Sequence, residues 1–222
     1  MSKSFFSFLL LSFSLLILGG GCTQSNTSQT QSSSEVTVQA DVSVLVDGGY
    51  VLNAEESTLA WESGKKLIPN YTHNGTVAIK NGNVVVEDAL ITEGIFVIDM
   101  TNIVVLDGAG ETLLKHLQSD DFFSVETFPE ATLVIKNVVQ KETVNRYVIT
   151  ADLTMKGITN EIVFDAEMTQ ENDRVFAQAA FEIDRTLWDV RYGSDSFFDD
   201  LGDNVIKDEI GITLNLVADK AE

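Results

Sequence analysis

The chain has 222 residues, 34 acidic and 14 basic side chains, a net charge of −20 at pH 7 and 44% hydrophobic content. That length holds one domain, or one domain and a tail, and the apolar content is ample for a packed core, which excludes global disorder. So acidic a surface repels phosphate backbones and excludes nucleic acid as a partner, and it also works against polybasic docking on anionic lipid. One cysteine and two histidines leave no disulfide framework and argue against a zinc site.

Met1–Gly21 starts with Lys3, continues through the apolar run Phe5–Leu18 and ends in three glycines before Cys22. These are the charged start, apolar centre and small-residue cleavage zone of an export signal. The apolar run holds 14 residues, including serines, too few for the ~20 that span a bilayer. Without the signal, thirteen basic side chains face 34 acidic ones, a net charge of −21. The segment resembles a bacterial lipoprotein signal, although Gly19 stands where such signals usually place leucine. Under that resemblance Cys22 is the lipidated first residue of the mature chain, which links it to a membrane. An ordinary secretory signal with an incidental cysteine is the alternative. A free thiol at an exposed terminus would be a liability in an oxidising compartment, and several acyl chains on one residue meet the need for more than one anchor. The lack of an aspartate after Cys22 points to the periplasmic face of the outer membrane. Residues 22–40 are mostly Ser, Thr, Gln and Asn. They read as a flexible tether that reaches roughly 60 Å when stretched.

From residue 41 to 222 the dominant signal is alternation of apolar and polar side chains, the mark of strands with one wet and one buried face. Early candidates are Ser43–Val46, Thr58–Ser63, Thr76–Lys80, Asn83–Asp88 and Gly94–Met100, with Asn74–Gly75 and Asn81–Gly82 as turn signals. Thr112–Gln118 reads as a helix and Asp195–Leu201 as a possible second one. Later strands place Ala131, Leu133 and Ile135 on one face, then Tyr147, Ile149, Ala151, Leu153 and Met155. Two more put Ala177, Ala179, Phe181 and Ile183, and finally Ile210, Ile212, Leu214 and Leu216, on theirs. The expected fold is all-β: an antiparallel barrel of about eight strands with one or two short helices. Closure removes exposed edges, and an immunoglobulin-like sandwich is the competing architecture, for which this chain is long. Small inward alanines leave room for a cavity, while large partners across the lumen would fill it.

Three stretches are distinctive: His116–Ile135 (HLQSDDFFSVETFPEATLVI), Tyr147–Phe164 (YVITADLTMKGITNEIVF) and Phe181–Ala218. With LAWESGKK, THNGTVAIKNG and IFVIDM upstream, they resemble the YceI-like family over roughly residues 50–218. The resemblance implies a lipocalin-like barrel with a long apolar cavity for polyisoprenoid or similar isoprenoid-tailed lipids and amphiphiles.

No nucleophile–base pair, paired carboxylates or metal motif stands out, so neither catalysis nor a cofactor is expected. His73 precedes an Asn-Gly pair, and His116 is read as a structural hydrogen-bonding residue at the base of the barrel. Asp195, Asp199, Asp200, Asp203, Asp208 and Glu209 lack the EF-hand order and read as a solvated face. Lys65, Lys66, Arg185 and Arg191 could meet a pyrophosphate or carboxylate headgroup at a cavity mouth, or pair with the abundant acids. The ligand-contact candidates are Trp61, Phe96, Ile98, Tyr147, Ile149, Ala151, Ala179, Phe181 and Trp188. Phe122, Phe123 and Phe128 are expected to plug one barrel end. The function expected is non-enzymatic binding, carriage or sequestration of a long-chain lipid in the cell envelope. The competing reading is an envelope stress or protein-interaction lipoprotein with a side-chain-filled barrel. The oligomeric state stays open, a dimer included.

Overall fold

A computed structural model describes residues 43–222. The expected signal, Cys22 and the tether lie outside the described residues. Nine strands follow in order: β1 Gly48–Leu52, β2 Thr58–Gly64, β3 Thr72–Glu87, β4 Leu90–Val105, β5 Glu130–Gln140, β6 Arg146–Met155, β7 Ile158–Glu171, β8 Arg174–Asp184 and β9 Glu209–Lys220. One helix, α1 Gly110–Gln118, lies between β4 and β5. All pairings are antiparallel, and pairing of β3 with β4 closes the sheet.

Nine segments make an eight-position barrel. β1 pairs with the second half of β3 and the end of β9, while β2 pairs with the first half of β3 and the start of β9. The two share one place in the cylinder, interrupted at Asn53–Ser57. The interruption is stitched by side chains: Asn53 Nδ2 donates to Asp219 at 2.9 Å, and Arg174 bridges Asp219 and Glu56 at 2.7 Å each.

Three local expectations are corrected. Ser43–Val46 forms no strand. It is a plug whose Leu45 is buried and whose polar groups bond Gln170 and Asn145 across the floor. The Asn-Gly pairs are not turns but lie inside the 16-residue β3, which crosses from end to end. Register shifts fall between Val77 and Ala78 and between Ile79 and Asn81, and such bulges let a long strand coil around a small barrel. The turn that reverses the chain is Asp88–Ala89, both with positive φ, as a two-residue hairpin of this hand requires. Asp195–Leu201 is a set of turns, and the short helical pieces are single 3-10 turns at Arg185–Trp188 and Gly202–Asn204. Left-handed residues at Gly193, Asp200 and Gly202 break any helical run there.

Inside, the alternating residues fall where the pattern puts them. Tyr147, Ile149, Ala151, Leu153 and Met155 are all buried. Two apolar clusters divide the interior. The floor cluster gathers around Tyr50, Tyr147, Met168 and Leu45, and the upper one around Trp188, Val190, Met100 and Leu117.

Candidate ligand chamber

At the upper end, β2, the starts of β3 and β9, the end of β8, α1 and the Arg185–Asp208 segment surround an outer chamber of about 340 Å³, within the range of small-molecule sites. Leu59, Val77, Ile183 and Ile212 form its floor and also wall a second chamber of about 100 Å³. Phe96, Leu133, Leu214 and Leu216 are shared between that chamber and a third of about 70 Å³. The interior is thus a succession of apolar spaces joined through common walls. Phe164 and Phe181, stacked with ring centroids 4.3 Å apart, narrow it from one side.

Six of the nine ligand-contact candidates line these spaces. Trp61 lines the outer chamber, Phe96, Ile98 and Phe181 the middle one, and Phe96, Ile149 and Ala179 the inner one. Tyr147, Ala151 and Trp188 line none of the three. Trp188 is fully buried and its indole Nε1 donates to the Leu153 carbonyl at 3.0 Å, and Ala151 is fully buried on the β6 wall. Burial in an apolar setting pushes the Tyr147 phenol pKa up.

Of the polar lining of the outer chamber, Lys65 and Arg185 are among the headgroup candidates of the sequence; the pairing of His73 with Asp107 has no sequence signal, because the two come from separate segments. His73 on β3 sits opposite Ser63 of β2, with Nδ1 2.9 Å from Asp107 Oδ2. Asp107 also accepts from the backbone N–H groups of Ala109 and Asn74. The Ala109 bond foremost, then the His73 contact, holds its carboxyl below the usual range against the opposing cost of burial. His116, on α1, lies at the outer chamber rather than at the base of the barrel. It packs edge-on against Phe122 and Tyr192 and lies 3.4 Å from Asp121. Phe122 and Phe123 wall this chamber, whereas Phe128 packs beside Gly157 of the β6–β7 turn.

Of the four cations singled out, three have partners that tie them down. Lys66 is 2.8 Å from Asp195, and Arg191 pairs with Asp189. Arg185, 1% exposed, donates Nε to the Lys207 carbonyl at 2.9 Å and a terminal nitrogen to the Val190 carbonyl. It also reaches the Ile206 carbonyl and Asp208, each at 3.4 Å. Among the described residues, the Lys65 ammonium contacts Asn204 Oδ1 at 3.3 Å and the Tyr71 ring and forms no ion pair. Among the described residues, no group of three or more His, Cys, Asp or Glu side chains is arranged to hold a metal.

A closed antiparallel barrel with an apolar lumen is a lipocalin-like binding fold. The YceI-like domain matches residues 50–218, and the chain belongs to that family. Among curated relatives it is similar to a UPF0312 protein of Photorhabdus laumondii (40% identity over 57 residues, 26% of this chain and 29% of that protein) and to one of Staphylococcus aureus strain USA300 (46% over 53 residues, 24% and 28%). The aligned stretch spans under a third of those relatives. In fold it resembles Burkholderia cenocepacia BcnA (TM-score 0.59, 20% identity, 75% of this chain and 98% of that one). A polyisoprenoid binding domain from Saccharophagus degradans is similar to the same degree (0.59, 17%, 78% and 98%). The Campylobacter jejuni YceI protein follows (0.52, 20%, 66% and 85%).

Proposed function

We propose that this protein binds a long-chain amphiphile, with an isoprenoid-tailed lipid as the leading class, and carries or sequesters it in the cell envelope without chemical change. The observation that carries the reading is the run of three apolar chambers that share wall residues along the barrel. An apolar tail gains about 0.8 kcal/mol for each methylene it buries, so a long chain binds tightly with few polar contacts. Family membership and the polyisoprenoid-binding neighbour support binding in preference to catalysis. Organic-solvent extraction of the purified protein, followed by mass spectrometry, should release a lipid in reproducible stoichiometry. Absence of lipid, together with no binding of polyprenyl compounds on titration, would overturn the reading.

The envelope location rests on the lipoprotein-like signal and Cys22. The Cys22→Ser chain should leave the membrane fraction as a folded soluble protein with unchanged ligand affinity. A Cys22→Ser chain that still sediments with membranes after high-salt washing would sink the lipid-anchor proposal. The side-chain-filled alternative draws on the Phe164–Phe181 stack and the small inner chambers. Failure to take up any tail would favour it.

A further inference from the structure

The outer chamber inverts the charge of the molecule around it. Acidic side chains outnumber basic ones 34 to 14 along the chain, yet no Asp or Glu lines this chamber, whereas Lys65, Arg185, His73 and His116 do. These four groups are not equivalent. The Arg185 donors are taken up by backbone carbonyls and Asp208, which leaves that cation a fixture of the wall. His116 faces Asp121. Lys65 differs: no carboxylate of the described residues lies within ion-pairing distance of it, while its sequence neighbour Lys66 is clamped by Asp195. His73 engages Asp107 through Nδ1, so Nε2 is the remaining polar atom of a ring on the chamber wall.

From this arrangement we infer that the outer chamber receives the anionic oxygen headgroup of a single-tailed amphiphile, a carboxylate or a phosphate monoester. Lys65 is its ionic partner, His73 a second polar contact, and the tail runs inward past Leu59 and Val77. The inference rests on the amphiphile reading above and adds the chemistry of the head. An anion drawn into an apolar chamber loses hydration, and it stays there only if a counter-charge and hydrogen bonds replace the water. A lysine without an acidic partner supplies both through a charge-assisted bond. The acidic exterior does nothing to recruit anions, so preference for an anionic head has to originate inside the chamber.

The test uses the full chain carrying Cys22→Ser, loaded with the neutral fluorophore N-phenyl-1-naphthylamine. Hexadecanoate, hexadecyl phosphate, hexadecanol and hexadecylamine then compete for the site. A charged hydrogen bond of ordinary strength predicts that at least one anion binds roughly 10- to 100-fold more tightly than the alcohol. Lys65→Met should bring that ratio close to one by weakening the anions far more than hexadecanol, and Lys65→Arg should keep most of it. Equal binding of alcohol and anions overturns the inference and leaves lipid binding intact, as does an anion preference that survives Lys65→Met. Displacement of hexadecyl phosphate by equimolar inorganic phosphate also overturns it, since the site would then serve free anions. If none of the four compounds binds, the amphiphile reading itself fails.

Discussion

Arg185 and Asp107 show how single polar residues hold the open end in shape. Arg185 cannot shed its charge, and its pKa is lowered chiefly by burial, against the pull of Asp208. The chain answers with carbonyls from Val190, Ile206 and Lys207, so one guanidinium fastens both ends of the Arg185–Asp208 segment. Asp107 does the same for the start of α1 and for β3. Its folded-state pKa lies below the unfolded value of about 3.9, so its contribution is present above that value and is lost as pH falls through the folded one. Asp107→Asn should therefore lower the melting temperature at neutral pH and flatten the fall in stability as pH drops below about 4. Thermal melts across that range check this, and parallel curves for the two proteins would contradict it. None of this was legible beforehand: Asp107 lies 34 residues from His73, and no spacing rule joins them.

At the scale of elements, strand alternation was readable because a half-buried sheet imposes a period of two whatever its neighbours. The faces of β6, β8 and β9 accordingly fall as the pattern puts them. Turn chemistry misled in β3. Asn-Gly favours a tight reversal in isolation, but both glycines serve close approach. A side chain at Gly75 would meet the Val104 carbonyl at 1.8 Å and the Trp61 ring at 2.7 Å. At Gly82 it would meet the Phe96 ring at 2.4 Å. Neither glycine has positive φ, so space and not backbone freedom is the requirement. Gly75→Ala pushes against backbone and should cost about 1–3 kcal/mol by overpacking. Gly82→Ala meets chiefly the Phe96 ring, which can turn aside, with the Ile95 carbonyl no closer than 3.2 Å, so it should cost less while altering the middle chamber. Chemical denaturation of both variants ranks them, and the reverse order would refute this account.

For the molecule as a whole, the proposed function makes tail length the property that the stacked chambers would measure. Ala177 and Ala179 on β8 help wall the innermost space. Ala177→Phe should fill it and exclude two or three methylenes, a loss of about 2 kcal/mol or roughly 30-fold in affinity. Only ligands long enough to reach that depth should suffer. Titrations with a homologous series of chain lengths should diverge between variant and parent beyond one threshold length. A uniform loss at all lengths would mean the chambers do not act in series. The barrel also has a polarity that bears on tethering. Ser43–Asp47 packs into the floor, and β9 finishes there at Lys220 beside Asp173. Anything leashed to either terminus of the barrel is therefore fastened at the foot, with the doorway at the head. β3 and β4 run 16 residues each, about 53 Å along the strand and roughly 40 Å along the axis after tilt. If Cys22 carries the lipid anchor proposed above, its leash must exceed that height before the head of the barrel can bow to a membrane surface.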